Sequence, residues 1–269
     1  MRNSAREAIL RRCFVNAPWP DLKSELLDLF LEHRLQPEIG LEGTCLYDED
    51  IGEFTKVHQL LQKRGLQCTL HAPFMDLAAG SNDPYILEKS RSKLRRAIEL
   101  AAIFRPCSIV CHLQYEENKH GYFFDRWLGN SLASWRQLGR LAGELGVAIM
   151  LENTYETGPE VHRRVLSELN TPSVGFCLDV GHLGAFAKAS WRDWLPEMLP
   201  WLGQLHIHDN TGGKDLHLAP GQGNFDFPGL FGFLRQHDMH PIITLEPHSR
   251  EDLWQALDYF ERTGLLSGI

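Results

Sequence analysis

Six side chains of metal-ligand type, His71, His112, Glu152, Asp179, His206 and Glu246, stand at or near the ends of six successive apolar runs. A carboxylate or imidazole directly after a run such as VAIML (147–151) or PIITL (241–245) is costly to bury without a partner. A shared cation would satisfy all six at once. Three further donors follow close behind: His182 in DVGH (179–182), and Asp215 and His217 in KDLH (214–217). Nine nitrogen and oxygen donors exceed what one ion takes, so the set accommodates one to three divalent ions, with Zn, Mn, Co and Mg all compatible with its chemistry. Taken singly, each of these residues would more often be a structural hydrogen-bonding group. A carboxylate–histidine network without metal is the alternative that the residues alone leave open.

Donors so far apart in sequence need a scaffold that gathers strand ends. Eight short β-rich runs, 12–17, 37–42, 66–71, 107–112, 147–152, 174–179, 203–208 and 241–246, are each followed by a segment with helical spacing. The run at 147–151 is continuously apolar, as in a strand buried on both faces. Between runs, Pro84 to Phe104 reads as a helix, with Asp83 as N-cap and Ile86, Leu87, Leu94, Ile98 and Ala101 near one face. No GxGxxG or phosphate loop follows an early strand, which disfavours an open doubly wound sheet. The fold class expected is α/β, a single-domain (β/α)8 TIM barrel spanning 1–269, whose C-terminal strand ends converge on one mouth.

Composition agrees with such a domain and limits its partners. The 269 residues are 43% hydrophobic and 23% charged, close to the average of water-soluble globular chains. A net charge of -8 disfavours binding nucleic acid by bulk electrostatics, though it does not exclude a local basic stripe. The six cysteines form no CxxC pair and lie mostly in apolar runs, which reads as reduced thiols and a cytoplasmic protein. No run reaches 18 apolar residues and the N-terminus lacks a signal-like apolar core, so neither a membrane nor secretion is expected. Nothing in the sequence sets an oligomeric state.

The motifs HAPFMDL (71–77), IVCHLQY (109–115), IMLENT (149–154), CLDVGH (177–182), LHIHDN (205–210), DLHLAPGQGNFDF (215–227) and ITLEPH (243–248) together resemble the xylose isomerase-like TIM barrels. That superfamily includes AP endonuclease family 2 and many sugar isomerases and epimerases. The resemblance implies two alternatives. Similarity to ketose 3-epimerases implies one divalent ion on Glu152, Asp179, His206 and Glu246, with the two glutamates exchanging a proton of a sugar, sugar phosphate or related polyol. Similarity to endonuclease IV implies three zinc ions on all nine donors, Glu152 bridging two of them, and a metal-bound hydroxide that attacks a phosphodiester; a zinc hydrolase of amide bonds is the related alternative. Flanking residues such as HIHDN and PGQGNFDF favour the isomerase-like branch, and a small carbohydrate-like substrate is therefore expected. Glu152, Glu246 and His182 are the expected catalytic residues.

Secondary expectations concern the surroundings. His208 shares strand parity with His206 and is expected to orient a ligand rather than bind, as are Asn153 and Asp209. Trp19 and Glu42 are placed to contact substrate or to form rim structure. The aromatic segment 121–135 is expected to pack as a helix on the barrel rather than to cover the mouth. Glycines in PGQG (220–223) permit positive φ and close approach. His33, His58, His120, His162, His237, His240 and His248 are expected in helices or outer loops, at the surface.

Overall fold

In a computed structural model describing residues 2–269, eight parallel strands close into a barrel in chain order. They are β1 (Cys13–Pro18), β2 (Gln36–Gly40), β3 (Thr69–His71), β4 (Ile109–His112), β5 (Ile149–Glu152), β6 (Val174–Asp179), β7 (Leu202–Ile207) and β8 (Ile242–Leu245). β1 pairs with both β2 and β8, which completes the ring. The bounds follow the sequence expectation, with β6 coincident and β3 shortened to its last half.

Helices between the strands bury their apolar stripes on the outside of the barrel. Asp83 caps the helix Pro84–Glu99 by accepting hydrogen bonds from the N–H groups of Tyr85 (2.8 Å) and Ile86 (3.2 Å). Leu87, Leu94, Ile98 and Ala101 are buried as the spacing predicts. Ile86 is exposed, because it falls a quarter-turn away from that stripe in the first turn. Trp127 and Trp135 of the helix Phe124–Glu144 are wholly buried, so the aromatic segment packs against the barrel as expected. Before β1, the helix Arg2–Arg12 joins the C-terminal helix Arg250–Thr263 through Arg6, which bonds Glu261 at 3.0 Å and pairs with Asp258. No helix among the described residues is long and apolar enough to cross a membrane.

The inside of the barrel is polar. Ser108 (flanking β4) donates to Gln204 Oε1 of β7 at 2.6 Å, and Gln204 Nε2 donates to Glu38 Oε2 of β2 at 2.7 Å. Thr69 and Thr244 hydroxyls donate to the same Glu38 oxygen at 2.8 and 3.0 Å. All five residues are fully buried, so these hydrogen bonds replace the hydration each group gave up. The run expected to be buried on both faces, 147–151, keeps Val147, Ile149 and Leu151 buried, and the polar contacts of the bore come from other strands. In the period-2 alternation of the strands, one parity carries Leu and Ile into the helix layer and the other carries polar side chains into the bore.

Candidate metal centre

All nine donors identified from sequence meet at the C-terminal mouth, and they fall into three groups. In the first, Nε2 of His71 (ending β3) and of His112 (ending β4) each lie 3.1 Å from Glu152 Oε2. In the second, Nδ1 of His206 lies 3.3 Å from Glu152 Oε1, 3.1 Å from Glu246 Oε1 and 3.8 Å from Asp179 Oδ2. In the third, Asp215 Oδ2 lies 3.4 Å from His182 Nε2 and 3.1 Å from His217 Nε2. Glu152 thus gives one oxygen to each of the first two groups.

Local structure explains how each donor is aimed. β6 runs directly into the helix Val180–Ala185, and Asp179 is its N-cap, accepting from the His182 N–H at 2.7 Å. The cap fixes the i, i+3 spacing that returns His182 to the mouth. Asn153 holds the β6 end by exchanging two hydrogen bonds with the Asp179 backbone, at 2.9 and 3.1 Å. Asp209 accepts from four backbone N–H groups, of Asn210, Gly221, Gly223 and Phe225, at 2.8–3.1 Å. It therefore fixes the loop that carries Asp215 and His217 rather than orienting a ligand directly, as the sequence had suggested. The PGQG turn behaves as expected: Gly221 has φ +89°, and a Cβ at Gly223 would fall 2.4 Å from Asp209 Oδ1.

The tautomers fit a cation. Nδ1 of His71, His182 and His217 faces the carbonyl oxygens of Ala72 (2.9 Å), Asn153 (2.8 Å) and Glu246 (3.0 Å). A carbonyl only accepts, so Nδ1 carries a proton, and Nε2, which faces a carboxylate, is the nitrogen that offers a lone pair to a cation once its own proton is released. His112 Nδ1 has the Thr154 hydroxyl at 3.0 Å. His206 is reversed: its Nε2 lies 3.0 Å from Glu38 Oε1, while Nδ1 is buried without a hydrogen-bond partner among the oxygens of the second group. Imidazoles with one nitrogen anchored to an oxygen and the other aimed at carboxylates are the arrangement found in metal-ligating histidines.

Electrostatics point the same way. Burial opposes charge on Glu152, but the imidazoles of His112 and His206 outweigh it and hold the carboxyl well below the usual range. Glu246 is likewise held down against its burial, chiefly by His206. His71 and His217 rise to about 9 despite burial, His71 through Glu152 and His217 through Asp215 and Glu246. Protons on imidazoles balance the carboxylates here, and a divalent cation would do so in their place.

The family model described as xylose isomerase-like TIM barrel matches residues 36–263. This chain belongs to that family. An uncharacterised protein of Methanocaldococcus jannaschii is 28% identical over 237 residues, 87% of this chain and 90% of that one. The L-ribulose 3-epimerase of a Methylomonas strain is 29% identical over 179 residues, 64% of this chain and 60% of that one. Among solved structures, a D-tagatose 3-epimerase-like protein superposes with a TM-score of 0.82 at 22% identity, covering 93% of this chain and 96% of the other.

Above the donors of this xylose isomerase-like barrel opens a cavity of about 610 Å³. Glu42 lines it, accepting from the Phe74 N–H at 2.8 Å, with its other oxygen buried and unpartnered. Trp19 does not line it: the ring is wholly buried against Phe54, and its indole N–H donates to Glu49 at 2.7 Å. Of the histidines expected at the surface, His248 is exposed as expected and also lines the cavity, stacking on His217 at 3.9 Å, whereas His120, at the end of the short helix Glu117–His120, is half-buried in the cavity wall. His162 is wholly buried between Phe176 and Trp194, since its helix turns it toward β6. His208 Nε2 lies 3.0 and 3.1 Å from the two Asp179 oxygens, which suits the orienting role expected for it.

Glu38 escaped the sequence reading altogether. It lies in the middle of β2 and not at its end, so a search of strand ends passes over it. Its one signal in the sequence is a charged residue inside a short run, PEIG, that otherwise reads as buried strand.

Proposed function

We propose that this protein is a metal-dependent isomerase or epimerase acting on a sugar, sugar phosphate or related polyol, with Glu152 and Glu246 as the proton-exchanging pair. The observation that carries the reading is the second donor group, in which an unpartnered, buried His206 Nδ1 lies within 3.1–3.8 Å of oxygens from Glu152, Glu246 and Asp179. Those four residues would hold one divalent cation. A cation bound there polarises carbonyl and hydroxyl oxygens, which makes the adjacent C–H acidic. Both glutamates are held ionised by the neighbouring imidazoles; one takes the proton from the substrate carbon as base, and the other, protonated from solvent, returns one to that carbon as acid. His182, tied to Asn153 and facing Asp215, helps to fix the substrate oxygens. Similarity to an L-ribulose 3-epimerase and to a D-tagatose 3-epimerase-like protein supports a carbohydrate substrate. The six unpaired cysteines accord with a cytoplasmic setting.

The test is solvent deuterium exchange into a panel of ketoses by protein loaded with Mn, Co, Mg or Zn. Exchange is expected at one carbon, and Glu152→Gln or Glu246→Gln should remove it. Absence of exchange from every ketose with every metal overturns the reading.

A second reading, zinc-dependent hydrolysis of a phosphodiester or amide, is favoured by one observation. The donors continue past the first four, with His71 and His112 sharing Glu152, and His182 and His217 sharing Asp215. Three zinc ions held per chain, with activity lost on His71→Ala or His217→Ala, would favour it. One exchangeable ion that survives those replacements favours epimerisation.

A further inference from the structure

The cavity above the donors is larger than a free monosaccharide fills. At about 610 Å³ it lies within the range of roughly 300–1,000 Å³ in which clefts enclose drug-sized molecules. With roughly 30 Å³ for each water-sized group, it takes on the order of twenty such groups, against about twelve non-hydrogen atoms in a hexose.

The remaining space has its own chemistry. Phe74, Met75 and Leu77 after β3, Tyr155 after β5 and Phe186 after β6 all enter the lining. Met75 is 62% exposed and Tyr155 48%, and apolar surface left open at a polar-rimmed mouth marks a binding site. The Tyr155 and Phe186 rings lie 5.1 Å apart, and Phe186 lies 5.6 Å from the His182 ring, so the aromatic pair begins where the donors end. The loop after β4 brings Gln114, Lys119 and His120 to the same cavity. Lys119 is the one Lys or Arg among the described lining residues, and it is already paired with Glu116 at 2.5 Å. A phosphate would need converging cations, which this wall does not offer. A pyranose ring, with apolar C–H faces and a hydroxylated edge, matches aromatic rings set beside amide and imidazole groups.

We infer that the cavity holds a second sugar ring: the substrate is a ketose bearing a glycosidically linked pyranose, the ketose at the donors and the pyranose against Tyr155 and Phe186. The assignment rests on the sugar-epimerase reading, and the experiment separates the two. Metal-loaded protein is titrated calorimetrically with D-fructose and with two ketose disaccharides of different linkage, isomaltulose and lactulose, and solvent deuterium exchange is followed on all three. At least one disaccharide is expected to bind tenfold or more tightly than fructose. Tyr155→Ala combined with Phe186→Ala should abolish that advantage, whereas Tyr155→Phe, which keeps the ring, should retain it. Equal affinity for the three sugars, or an advantage that survives the double replacement, overturns the second-ring site. A binding advantage with no deuterium exchange into these three sugars or any ketose of the panel, whichever of Mn, Co, Mg or Zn is loaded, leaves the site standing and overturns the proton-exchange reading.

Discussion

Replacing Glu38 by Gln tests whether the buried layer beneath the mouth sets the metal affinity above it. The carboxylate has two jobs: Oε2 accepts from Thr69, Gln204 and Thr244 at 2.7–3.0 Å, and Oε1 lies 3.0 Å from His206 Nε2. An amide of the same shape does only one of them. If its oxygen stays among the three donors, its NH2 faces His206 Nε2, and the ring must move its proton to Nδ1, the nitrogen aimed at Glu152 and Glu246. If the amide is turned over, its NH2 meets three donors, and Gln204 cannot readily turn because its oxygen already accepts from Ser108. Either way one close contact of the charged carboxylate is lost, on the order of the 1.5–3 kcal/mol that a hydrogen bond to a charged group is worth. At about 1.4 kcal/mol per tenfold, this is roughly a 10- to 100-fold weaker zinc affinity in one binding step. Competition against a chromophoric chelator measures it, with Thr244→Val as control, because that change disturbs the same packing while keeping the carboxylate. Glu38→Gln that folds normally and binds zinc as tightly as the unaltered protein, or no more weakly than Thr244→Val, refutes the reasoning.

Three further outcomes follow from the same geometry. His71 and His217 titrate near 9 without a cation and must give up a proton to ligate one, so metal uptake at pH 7 should release protons and affinity should rise with pH until about 9; calorimetry in buffers of different ionisation enthalpy reads this, and uptake without proton release contradicts it. His162 is wholly buried with neither ring nitrogen hydrogen-bonded, and burial pushes it down to about 3, below the unfolded value near 6.5. Its neutral form therefore supports the fold fully above pH 6.5, and that support declines as the pH falls toward 3; at pH 4.5 the loss is on the order of 3 kcal/mol, which His162→Leu should remove in urea unfolding, and parallel stability–pH curves would exclude it. Asp209→Ala strips four backbone N–H groups of their acceptor, which should lower stability by about 3 kcal/mol or more and expose the 211–225 loop to limited proteolysis; a loop as resistant as before would show that Asp209 is not its anchor.

The barrel and its nine mouth donors were legible because two local rules reinforce each other. Parallel strands buried beneath helices read as apolar runs, and a (β/α)8 barrel puts the C-terminal end of every run at one mouth. A ligand-type residue after such a run, as at Glu152 after VAIML, needs no long-range information to be assigned to that mouth. The same rule succeeds for Asp179 and His182, since the strand-to-helix cap that joins them is itself a local sequence signal.

The parts that stayed hidden depend on what lies across the bore or over the mouth. Glu38 is on β2, Gln204 on β7 and Ser108 flanks β4, so their hydrogen bonds link strands that are not neighbours, and no spacing along the chain records them. A mid-strand polar residue reads as a strand defect until closure supplies partners from the opposite wall. His120 faces the cavity for a related reason: the direction of a side chain on a short helix within a connecting segment is set by what that segment packs against, not by a period of 2 or 3.6. The grouping of the donors lies deeper still. It rests on which nitrogen of each ring faces inward, and that is decided by the carbonyls of Ala72, Asn153 and Glu246 and by the carboxylate of Glu38. Sequence supplies the ligand atoms, whereas the surrounding acceptors decide which of them keep a lone pair for a cation.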